Sequence, residues 1–465
     1  MQSRRDQVQA QSYVLGRLTS ALVAAEPEAP ENPHRRLLVG TVAGVLVAAL
    51  VVAGFTVYGF LRPGGATGWR KPGTVVVEKE TGSRYVLVDG RLRPVLNYSS
   101  ALLLFGQKPA VSTVSAASLR TVPRGASVGI VGAPDALPGP TALAGATWTV
   151  CAVAGRDDAG TLATATTLTV DRAPVGPPVG ADQGIVARAP GGETFLVWRG
   201  RRFALTQTWL SRAFGYDAAP VQVEPGWLDQ LPAGSDIGPL AVSGRGDPGP
   251  TIDGRPTRIG QLFVARVAGT AERHYLLRRD GLSQLTPTGV AVVSSDPETA
   301  RAYGGQPVIP VELTAAALTG LPGSKEPVLP GDLPESPPAV AGAGPGQVWC
   351  LHQGTANGIE LTAESPLPAR GVAPGDGVGV TRTARTATAV AIAAGIGGLV
   401  RLGRPGQAPG TSYFVVTDAG IKYPLVNPSV AKALGYSTSA AVTVPPALLE
   451  LLPTGPLLDP ARARG

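Results

Sequence analysis

Residues 84–90, RYVLVDG, are an apolar run with one aromatic side chain that ends at a glycine. A strand that reaches a glycine turn and is followed by a second short apolar run, here residues 94–96, is typical of a β-hairpin. An Ala/Leu-rich stretch follows and ends at Phe105–Gly106, where glycine suits the left-handed residue that closes a helix. Residues 118–125, SLRTVPRG, then predict a short helical turn stopped by proline. The sequence therefore predicts a ββα-type unit.

This order of features occurs four times. The later copies have their first strands at residues 195–200, 274–277 and 413–416, and their closing turns at residues 228–234, 318–322 and 449–455. From the turn glycine to the leucine of the closing turn the separations are 29, 28, 37 and 29 positions, so only the third copy carries an insertion. Such agreement in order and spacing predicts one supersecondary unit used four times, each too small to bury its own face alone.

Segments rich in Thr, Val and Ala follow the first and third copies, and each contains a cysteine close to a tryptophan. Cys151 lies 28 positions after Pro123, and Cys350 lies 28 positions after Pro322. We infer a pseudo-two-fold body in which the two inserts pair into a central β layer, with a Cys151–Cys350 bridge near the axis. Closing so long a loop would add about 4 to 5 kcal/mol in the chain-entropy model. The alternative is two buried free thiols.

Residues 37–61 contain no charged side chain and form an apolar run of 25 residues. That length crosses a hydrocarbon core of about 30 Å as a helix. The run is too long for a signal peptide and lacks a small-residue cleavage pattern, which favours a retained anchor. Five basic residues precede it (Arg4, Arg5, Arg17, Arg35 and Arg36) and three follow it (Arg62, Arg70 and Lys71). This difference favours a cytoplasmic N-terminus and a body outside the cytoplasm, where a disulfide can form.

The residues before the anchor predict a helix from about Arg4 to Ala25, with Ser3 as its cap and prolines beyond its end. Apolar residues recur along it at a spacing that makes one stripe, which requires a partner or a membrane surface. The alternative is a helix that merely continues toward the membrane. The predicted partner-binding residues are Val8, Leu15, Leu18, Leu22, Arg4, Arg5 and Arg17.

Composition excludes several classes of protein. The chain of 465 residues has 61 Gly and 45 Pro, is 44% hydrophobic and only 16% charged, which predicts packed cores of short strands and turns and excludes a disordered polyelectrolyte or a long-helix architecture. The net charge of +7 is spread along the chain without a Lys/Arg cluster. We therefore expect no nucleic-acid partner.

Residues for catalysis are scarce. Of three histidines, His274 and His352 lie in the body, and neither has a carboxylate or cysteine at metal-ligand spacing, so each is interpreted as a satisfied histidine. Two cysteines in separate halves cannot form a zinc ribbon, and none of the six lysines follows a glycine, so no P-loop is present. We predict no catalytic residue, no cofactor and no metal site.

Three motifs resemble functional sites but lie in the wrong context. Residues 125–129, GASVG, match a hydrolase nucleophile elbow but lead into Gly/Pro-rich chain where that fold requires a helix. Residues 244–249, GRGDPG, match both a dinucleotide-binding pattern and Arg-Gly-Asp, yet contain Pro248, and we interpret them as a polar link between the halves. Asn97–Ser99 is a formal glycosylation acceptor within the first copy.

The predicted division of the chain follows from these features. It comprises a cytoplasmic amphipathic head (1–36), a transmembrane helix (37–61), a linker (62–71), repeat 1 (72–130), core half 1 (131–182), repeat 2 (183–240), a link between halves (241–257), repeat 3 (258–325), core half 2 (326–396), repeat 4 (397–458) and a tail (459–465). The fold class is α+β.

Several segments together resemble the EccB family, the B-type core component of the type VII (ESX) secretion system of mycobacteria and related actinobacteria. They are residues 3–10, 14–18, 32–36, 89–101 and 129–138, and the resemblance extends over essentially the whole chain. It implies a single-span inner-membrane protein with a small cytoplasmic head and a large periplasmic domain of four repeats around a core, closed by one disulfide. It also implies assembly with the C, D and E components of the ESX core complex and association of the periplasmic domains with one another.

Three functions follow as hypotheses. The first is a structural and assembly role in a secretion complex. The second is a cell-wall (peptidoglycan) binding module, because repeated units can present equivalent ligand grooves. The third is a nucleotide hydrolase, since some descriptions call the family an ATPase, although the sequence itself offers no P-loop. Two departures from the family are the Gly/Pro-rich tracts at 139–140 and 327–345 and the short tail after Pro453.

Overall fold

A computed structural model describes residues 4–24, 33–61, 67–156, 162–170, 175–216, 218–266, 269, 271–326, 328–355, 358–365, 377–403, 408 and 410–465. The chain divides into two compact units, Met1–Pro94 with Ala110–Ala126, and Val95–Pro109 with Ser127–Gly465. The architecture is mixed α+β, with one long apolar helix near the N-terminus and a body built mainly of short strands.

The helices are long only near the N-terminus. They are α1 (Arg4–Ala24), α2 (Pro33–Leu61), α3 (Tyr98–Phe105), α4 (Ala116–Leu119), α5 (Trp209–Ala213), α6 (Pro225–Leu228), α7 (Pro287–Ser295), α8 (Ala315–Gly320), α9 (Ser429–Ala433), α10 (Pro446–Glu450) and α11 (Pro460–Ala463). The predicted anchor helix begins earlier than expected, at Pro33, because proline is well tolerated in the first turn of a helix. The predicted cap Ser3 and the last predicted head residue, Ala25, lie outside the described residues.

The strands are short and numerous. They are β1 (Thr74–Glu78), β2 (Arg84–Val88), β3 (Arg91–Pro94), β4 (Ala110–Val114), β5 (Trp148–Arg156), β6 (Leu162–Val170), β7 (Gln183–Arg188), β8 (Thr194–Trp198), β9 (Arg201–Leu205), β10 (Val221–Gln222), β11 (Leu262–Ala265), β12 (Arg273–Arg278), β13 (Gly281–Leu285), β14 (Val311–Leu313), β15 (Ala339–Val340), β16 (Val348–Thr355), β17 (Gly358–Glu364), β18 (Ala389–Ile392), β19 (Gly398–Leu402), β20 (Tyr413–Val416), β21 (Lys422–Pro424) and β22 (Val442–Val444).

Four sheets share one strand order. The orders are β3-β2-β1-β4, β9-β8-β7-β10, β13-β12-β11-β14 and β21-β20-β19-β22. In each, the first three strands in sequence pair antiparallel and the fourth pairs parallel with the first. The predicted hairpins are present as the second and third strands, but the ββα expectation was incomplete. It omitted the central strand before the hairpin and the parallel strand after the helix.

In each of these four sheets, the closing turn is attached to the third strand in sequence by the same two backbone hydrogen bonds. A third-strand residue donates its N–H to the proline carbonyl, and the residue two positions after the proline donates back, with N···O distances of 2.7 to 3.0 Å. The sets are Leu92 with Pro123 and Gly125, Arg202 with Pro232 and Gly234, Leu282 with Pro322 and Ser324, and Lys422 with Pro453 and Gly455. The turn motif in the sequence thus acts as a clasp on the hairpin.

The helices between the hairpins and the closing turns end as the glycines predict. Gly106, directly after α3, has a φ of 69° and its N–H bonds Leu102 O, and Gly215 and Gly435 have φ values of 71° and 90°. The insertion in the third copy is an added 3-10 helix, Pro297–Tyr303, which follows α7 and ends at Gly304 with a φ of 62°. The longer spacing therefore lengthens only this helical segment.

The two inserts form a fifth sheet of order β17-β16-β5-β6-β18. Its middle strands β5 and β16 run antiparallel. One face carries Trp148, Val150, Trp349 and Leu351, which belong to the main apolar core together with Trp227. Burial of large apolar side chains is the main stabilising contribution in such a core.

Helices from sequence-distant copies pack in pairs. Within the second unit, α3 contacts α9 and α11, and α5 contacts α7. Leu102 and Leu103 of α3 lie in one apolar cluster with Val430 of α9 and Ala463 of α11. In addition, β15 joins the edge of β7, where Ala339 pairs with Gln183. Elements that are far apart in the sequence therefore share apolar clusters and sheet edges.

Candidate functional site

The head helix α1 carries the predicted partner-binding residues in one stripe. Its apolar members Val8, Leu15, Leu18 and Leu22 are each 54 to 82% exposed. Their spacing of seven, three and four positions puts them on one side of the helix. Tyr13 and Val14 are similarly exposed and were not included in the predicted set. Arg4, Arg5 and Arg17 lie on the same helix.

The anchor helix α2 contains the segment Leu37–Gly59, which has a mean hydropathy of 2.5 and none of its residues buried. A helix of this length can cross a hydrocarbon core of about 30 Å. Its backbone hydrogen bonds are made within the helix, as a bilayer requires. The segment is therefore long and apolar enough to cross a membrane.

Cys151 and Cys350 form a disulfide between the two inserts. They lie directly opposite each other in the β5–β16 pair, with an S–S distance of 2.07 Å and a Cα–Cα distance of 4.0 Å. Both residues are buried. The bond joins positions 199 residues apart and fixes the centre of the fifth sheet.

A buried polar network lies beside the disulfide on the same face of this sheet. His352 is fully buried and its Nε2 lies 2.6 Å from Glu364 Oε1. Its Nδ1 lies 2.9 Å from Thr149 Oγ1, and its Nε2 is also 3.0 Å from Thr362 Oγ1. Thr362 donates to Glu364 at 2.7 Å. His352 is thus a satisfied core histidine that connects β5 of one insert to β17 of the other.

The sequence reading missed the partners of His352. A usable signal was present, because side chains of a strand alternate between its two faces. In β5 the residues at 149 and 151 share a face, and in β16 those at 350 and 352 do so. Pairing the cysteines therefore also brings His352 opposite Thr149. The carboxylate of Glu364 could not be located this way, since its place depends on the pairing of β17.

His274 lies on β12, apart from this network, opposite Leu285. The side chain of His34 is outside the described residues. Among the residues that the structure describes, no group of three or more His, Cys, Asp or Glu could hold a metal ion. His352, Thr149, Thr362 and Glu364 are paired with one another near the disulfide, whereas the buried hydroxyls of Thr167 and Thr169, opposite Cys151 and Thr149, have no hydrogen-bond partner among the described residues.

Asn97 of the formal glycosylation motif is buried and serves as the cap of α3. Its Oδ1 accepts from the Ser100 N–H at 3.0 Å and the Ser100 hydroxyl at 2.6 Å. Its Nδ2 donates to Ile130 O at 2.8 Å, and Asp135 Oδ1 accepts from the Tyr98 N–H at 2.7 Å. An amide that is buried and already bonded is unavailable to a glycosyltransferase.

This cap joins two segments that are separated in the sequence. Asn97 and Tyr98 bond to Ile130 and Asp135, about 30 positions later in the chain. Gly132 has a φ of 79°, and a Cβ there would lie 1.9 Å from Val378 O. Only glycine fits at that position.

The Arg-Gly-Asp sequence is also structural. Arg245 is mostly buried and its Nη1 donates to Asp296 Oδ2 at 2.5 Å. Asp296 in turn caps the 3-10 helix by accepting from the Glu298 N–H. Asp247 pairs with Arg279 at 2.5 Å. The motif is therefore part of the third sheet's surroundings rather than an open loop.

The GASVG motif has no helix after it, since residues 126–147 form turns and extended chain. Gly125 takes part in the backbone clasp with Leu92. A nucleophile elbow needs a strand–turn–helix arrangement, so this context excludes it.

Sequence comparison finds one family over the full chain. The family profile described as "Type VII secretion system ESX-1, transport TM domain B" matches residues 1–465. The ESX-3 secretion system ATPase EccB3 of Mycobacterium tuberculosis (strain H37Rv) is 27% identical over 497 residues, covering 99% of this chain and 88% of that protein. The ESX-1 secretion system ATPase EccB1 of the same strain is 27% identical over 477 residues, covering 97% and 92%.

Solved structures share the fold. A chain in the structure of an intact ESX-5 inner membrane complex aligns with a TM-score of 0.62 at 23% identity, over 100% of this chain and 95% of that one. A chain in the structure of an EccB3 dimer from the ESX-3 core complex aligns with a TM-score of 0.63 at 24% identity, over 84% and 99%.

Proposed function

The chain belongs to the EccB family of type VII secretion components, and from this premise we propose that it is the membrane-anchored assembly subunit of an ESX secretion complex. The observation that carries the proposal is the match of the family profile to residues 1–465, including head, anchor and body. Its described polar clusters are used to hold the fold together, which suits a structural role.

We propose the topology that the charge distribution favours. The head lies in the cytoplasm, α2 crosses the inner membrane once, and the body lies in the periplasm. The disulfide supports this placement, because structural disulfides form and persist outside the reducing cytoplasm. The similarity to chains from ESX inner membrane complexes supports it as well.

The proposed partners are the C, D and E components of the complex, met on the cytoplasmic side by α1, and other copies of this chain, met through the body. The exposed apolar stripe of α1 supports the first contact, since an apolar helix face that water surrounds is unfavourable. Similarity to a chain solved as a dimer supports the second.

The body is proposed to be four copies of one unit around a pseudo-two-fold core. The common strand order of four sheets and the repeated clasp support this. The four strands with the shared order fall within one proposed repeat in each sheet, 72–130, 183–240, 258–325 or 397–458, whereas β15 of the second sheet and the insert strands fall within the core halves 131–182 and 326–396. The chain that follows each insert also pairs with the other insert. Strand β18, after the second insert, pairs with β6 of the first, and Pro178, after the first insert, forms a β-bridge with Thr362 of the second.

The test is purification of the full chain with its complex from native membranes. Deletion of residues 4–24 should leave the chain in the membrane but release it from the complex on native gels. Replacing Leu15 and Leu18 with Asp should do the same, whereas replacing Gln9 and Ala10, which are exposed on the opposite side of α1, with Asp is the matched control. A complex of unchanged size after both apolar replacements would overturn the role of α1.

The names of the relatives raise nucleotide hydrolysis as a second candidate. The chain lacks a glycine–lysine pair of the P-loop type, and we assign no hydrolytic residue. If ATP hydrolysis activity co-purified with the chain through several chromatographic steps, the chain would be assigned nucleotide hydrolysis. Retention on purified peptidoglycan would likewise identify a cell-wall binding module.

A further inference from the structure

The strand β4 is an open edge of the first sheet. It is the terminal strand of that sheet and has five residues, whereas the equivalent strands β10, β14 and β22 have two or three. Ala110, Val111 and Thr113 are exposed, and Val111 has 59% of its surface accessible. A long exposed edge strand is a template for another strand.

The direction of the backbone groups in β4 follows from its parallel pairing with β1. The Ala110 N–H bonds Gly73 O, and Val114 O accepts from the Lys79 N–H. Alternate residues of an edge strand point their backbone groups inward and outward. The N–H and C=O groups of residues 110, 112 and 114 therefore point toward β1 and bond within the sheet. The N–H and C=O of Val111 and Thr113 therefore point away from it.

The equivalent edges in the other three sheets are guarded. Strand β10 has only two residues and lies beside β15, which pairs with the same strand β7. In β14, Glu312 is a charged edge residue paired with Arg266 at 3.6 Å. In β22, the side chain of Thr443 accepts from Arg401 Nε at 3.0 Å. By contrast, residues 109–119 contain no charged side chain.

We propose that β4 pairs antiparallel with β4 of a second copy of this chain and joins the two first sheets into one eight-stranded sheet. The inference rests on the proposed self-association of the body and names its surface. The outward groups fix the register. Val111 faces Thr113 of the partner subunit and Thr113 faces Val111 of the partner subunit, so four backbone hydrogen bonds form and Ser112 lies on the two-fold axis.

A second copy suits this edge better than an unrelated strand for two reasons. An uncharged strand placed against itself brings no like charges together, which would otherwise oppose a two-fold contact. Both copies are also held in one membrane by α2, which raises their effective concentration, so a short strand contact is sufficient.

The first test uses cross-linking of the full chain in lipid nanodiscs or mild detergent. Residues directly opposite in a non-hydrogen-bonded antiparallel pair have Cα atoms about 4.5 Å apart, a distance that a disulfide spans. Ser112→Cys should therefore give a covalent dimer on oxidation that reducing agent dissolves. Ile309→Cys, at an exposed site two positions before β14, should remain monomeric on the same gel. The native cysteines are buried in their own bond and do not interfere.

The second test removes one outward donor. Val111→Pro deletes an N–H that the sheet itself does not use, so the fold should persist with an unchanged unfolding midpoint and proteolysis pattern while the dimer dissociates at least tenfold more readily. Val111→Thr keeps the donor and should retain the dimer. A proline variant that dimerises as well as the wild type would overturn the pairing.

The outcomes separate this inference from the proposed function. A dimer by native mass without cross-linking at Ser112→Cys would refute the β4 contact and leave self-association intact. A wild-type chain that is monomeric in the purified complex would refute both the contact and the proposed self-association, while membership of the complex would still stand on co-purification.

Discussion

The ring of Phe203 lies against Gly234, so that a Cβ at position 234 would come within 2.2 Å of Phe203 Cε1. Tyr423 and Gly455 have the same relationship in the fourth sheet, at 2.4 Å. These glycines belong to the clasps that close the sheets, and the aromatic residue is the one after the clasped residue in the third strand. In the third sheet that residue is Ser283, and the clasp position is correspondingly a serine, Ser324.

Gly234→Ala should therefore destabilise the body. The added methyl cannot fit without moving a fully buried ring, and overpacking of this kind costs about 1 to 3 kcal/mol. Gly323→Ala, in the matching turn of the third sheet where a Cβ meets open space, should cost less than about 0.5 kcal/mol. Denaturant unfolding of the two full-length variants compares them, and equal midpoints would show that the ring gives way.

Loss of the Cys151–Cys350 bond should have a larger effect. The bond closes a loop of 199 positions, for which the chain-entropy model gives about 5 kcal/mol. Replacing both cysteines with alanine avoids a buried unpaired thiol and should lower the free energy of unfolding by that amount. The wild type unfolded with and without reducing agent provides the comparison. A loss below about 1 kcal/mol would mean that strand pairing alone holds the inserts together.

His352→Ala should cost about 1 to 3 kcal/mol, because it leaves the buried Oε1 of Glu364 without its imidazole partner. His274→Ala, on a partly exposed histidine of β12, is the control and should cost much less. The double variant His352→Leu with Glu364→Leu should recover part of the loss, since both polar partners are then replaced by apolar side chains. Additive losses in a double-mutant cycle would contradict the coupling of the two residues.

Lys422 should make stability depend on pH in the alkaline range. Burial lowers the pKa of its ammonium group to about 8, against the opposing charge of Glu450, and its Nζ donates to Leu449 O. Between pH 8 and the ordinary lysine pKa of 10.5, the unfolded chain binds more protons than the folded one. The free energy of unfolding therefore rises with pH across this window. Below pH 8 both forms bind the proton and the dependence vanishes.

The comparison is with Lys422→Met, which lacks the titrating group. The difference in unfolding free energy between wild type and variant should shift in favour of the wild type from pH 8 to pH 10.5. Thermal or urea unfolding at half-unit steps measures it. Parallel profiles for the two proteins would show that the ammonium group is not desolvated in the fold.

Spacing was sufficient to predict the hairpins, the closing turns and the pairing of the inserts. Each depends on local signals, such as Gly90 after an apolar strand or Pro232 after a helical turn, that recur in fixed order. The central strands were not predicted, since β1 and β11 are short apolar runs that resemble any buried segment. Their place depends on a parallel partner more than 30 residues later, which local periodicity does not reveal.

The candidate sites show the same division. The apolar stripe of α1 and the cysteine pair could be predicted from the sequence, because they depend only on the spacing of apolar residues and on the number of cysteines. The polar partners of His352 and the open edge of β4 could not, because they depend on the neighbours that each strand has or lacks in the sheet.

The packing of α3 against α9 and α11 has a consequence for how the protein is made. A ribosome delivers α3 early and α9 and α11 late, so the apolar face that carries Leu102 and Leu103 lacks these two helices until residues 429–463 have been synthesised. A body that is exported with α3 first must therefore keep this face without them until that part of the chain has arrived. The first helix of the body is thus among the last to reach its final packing.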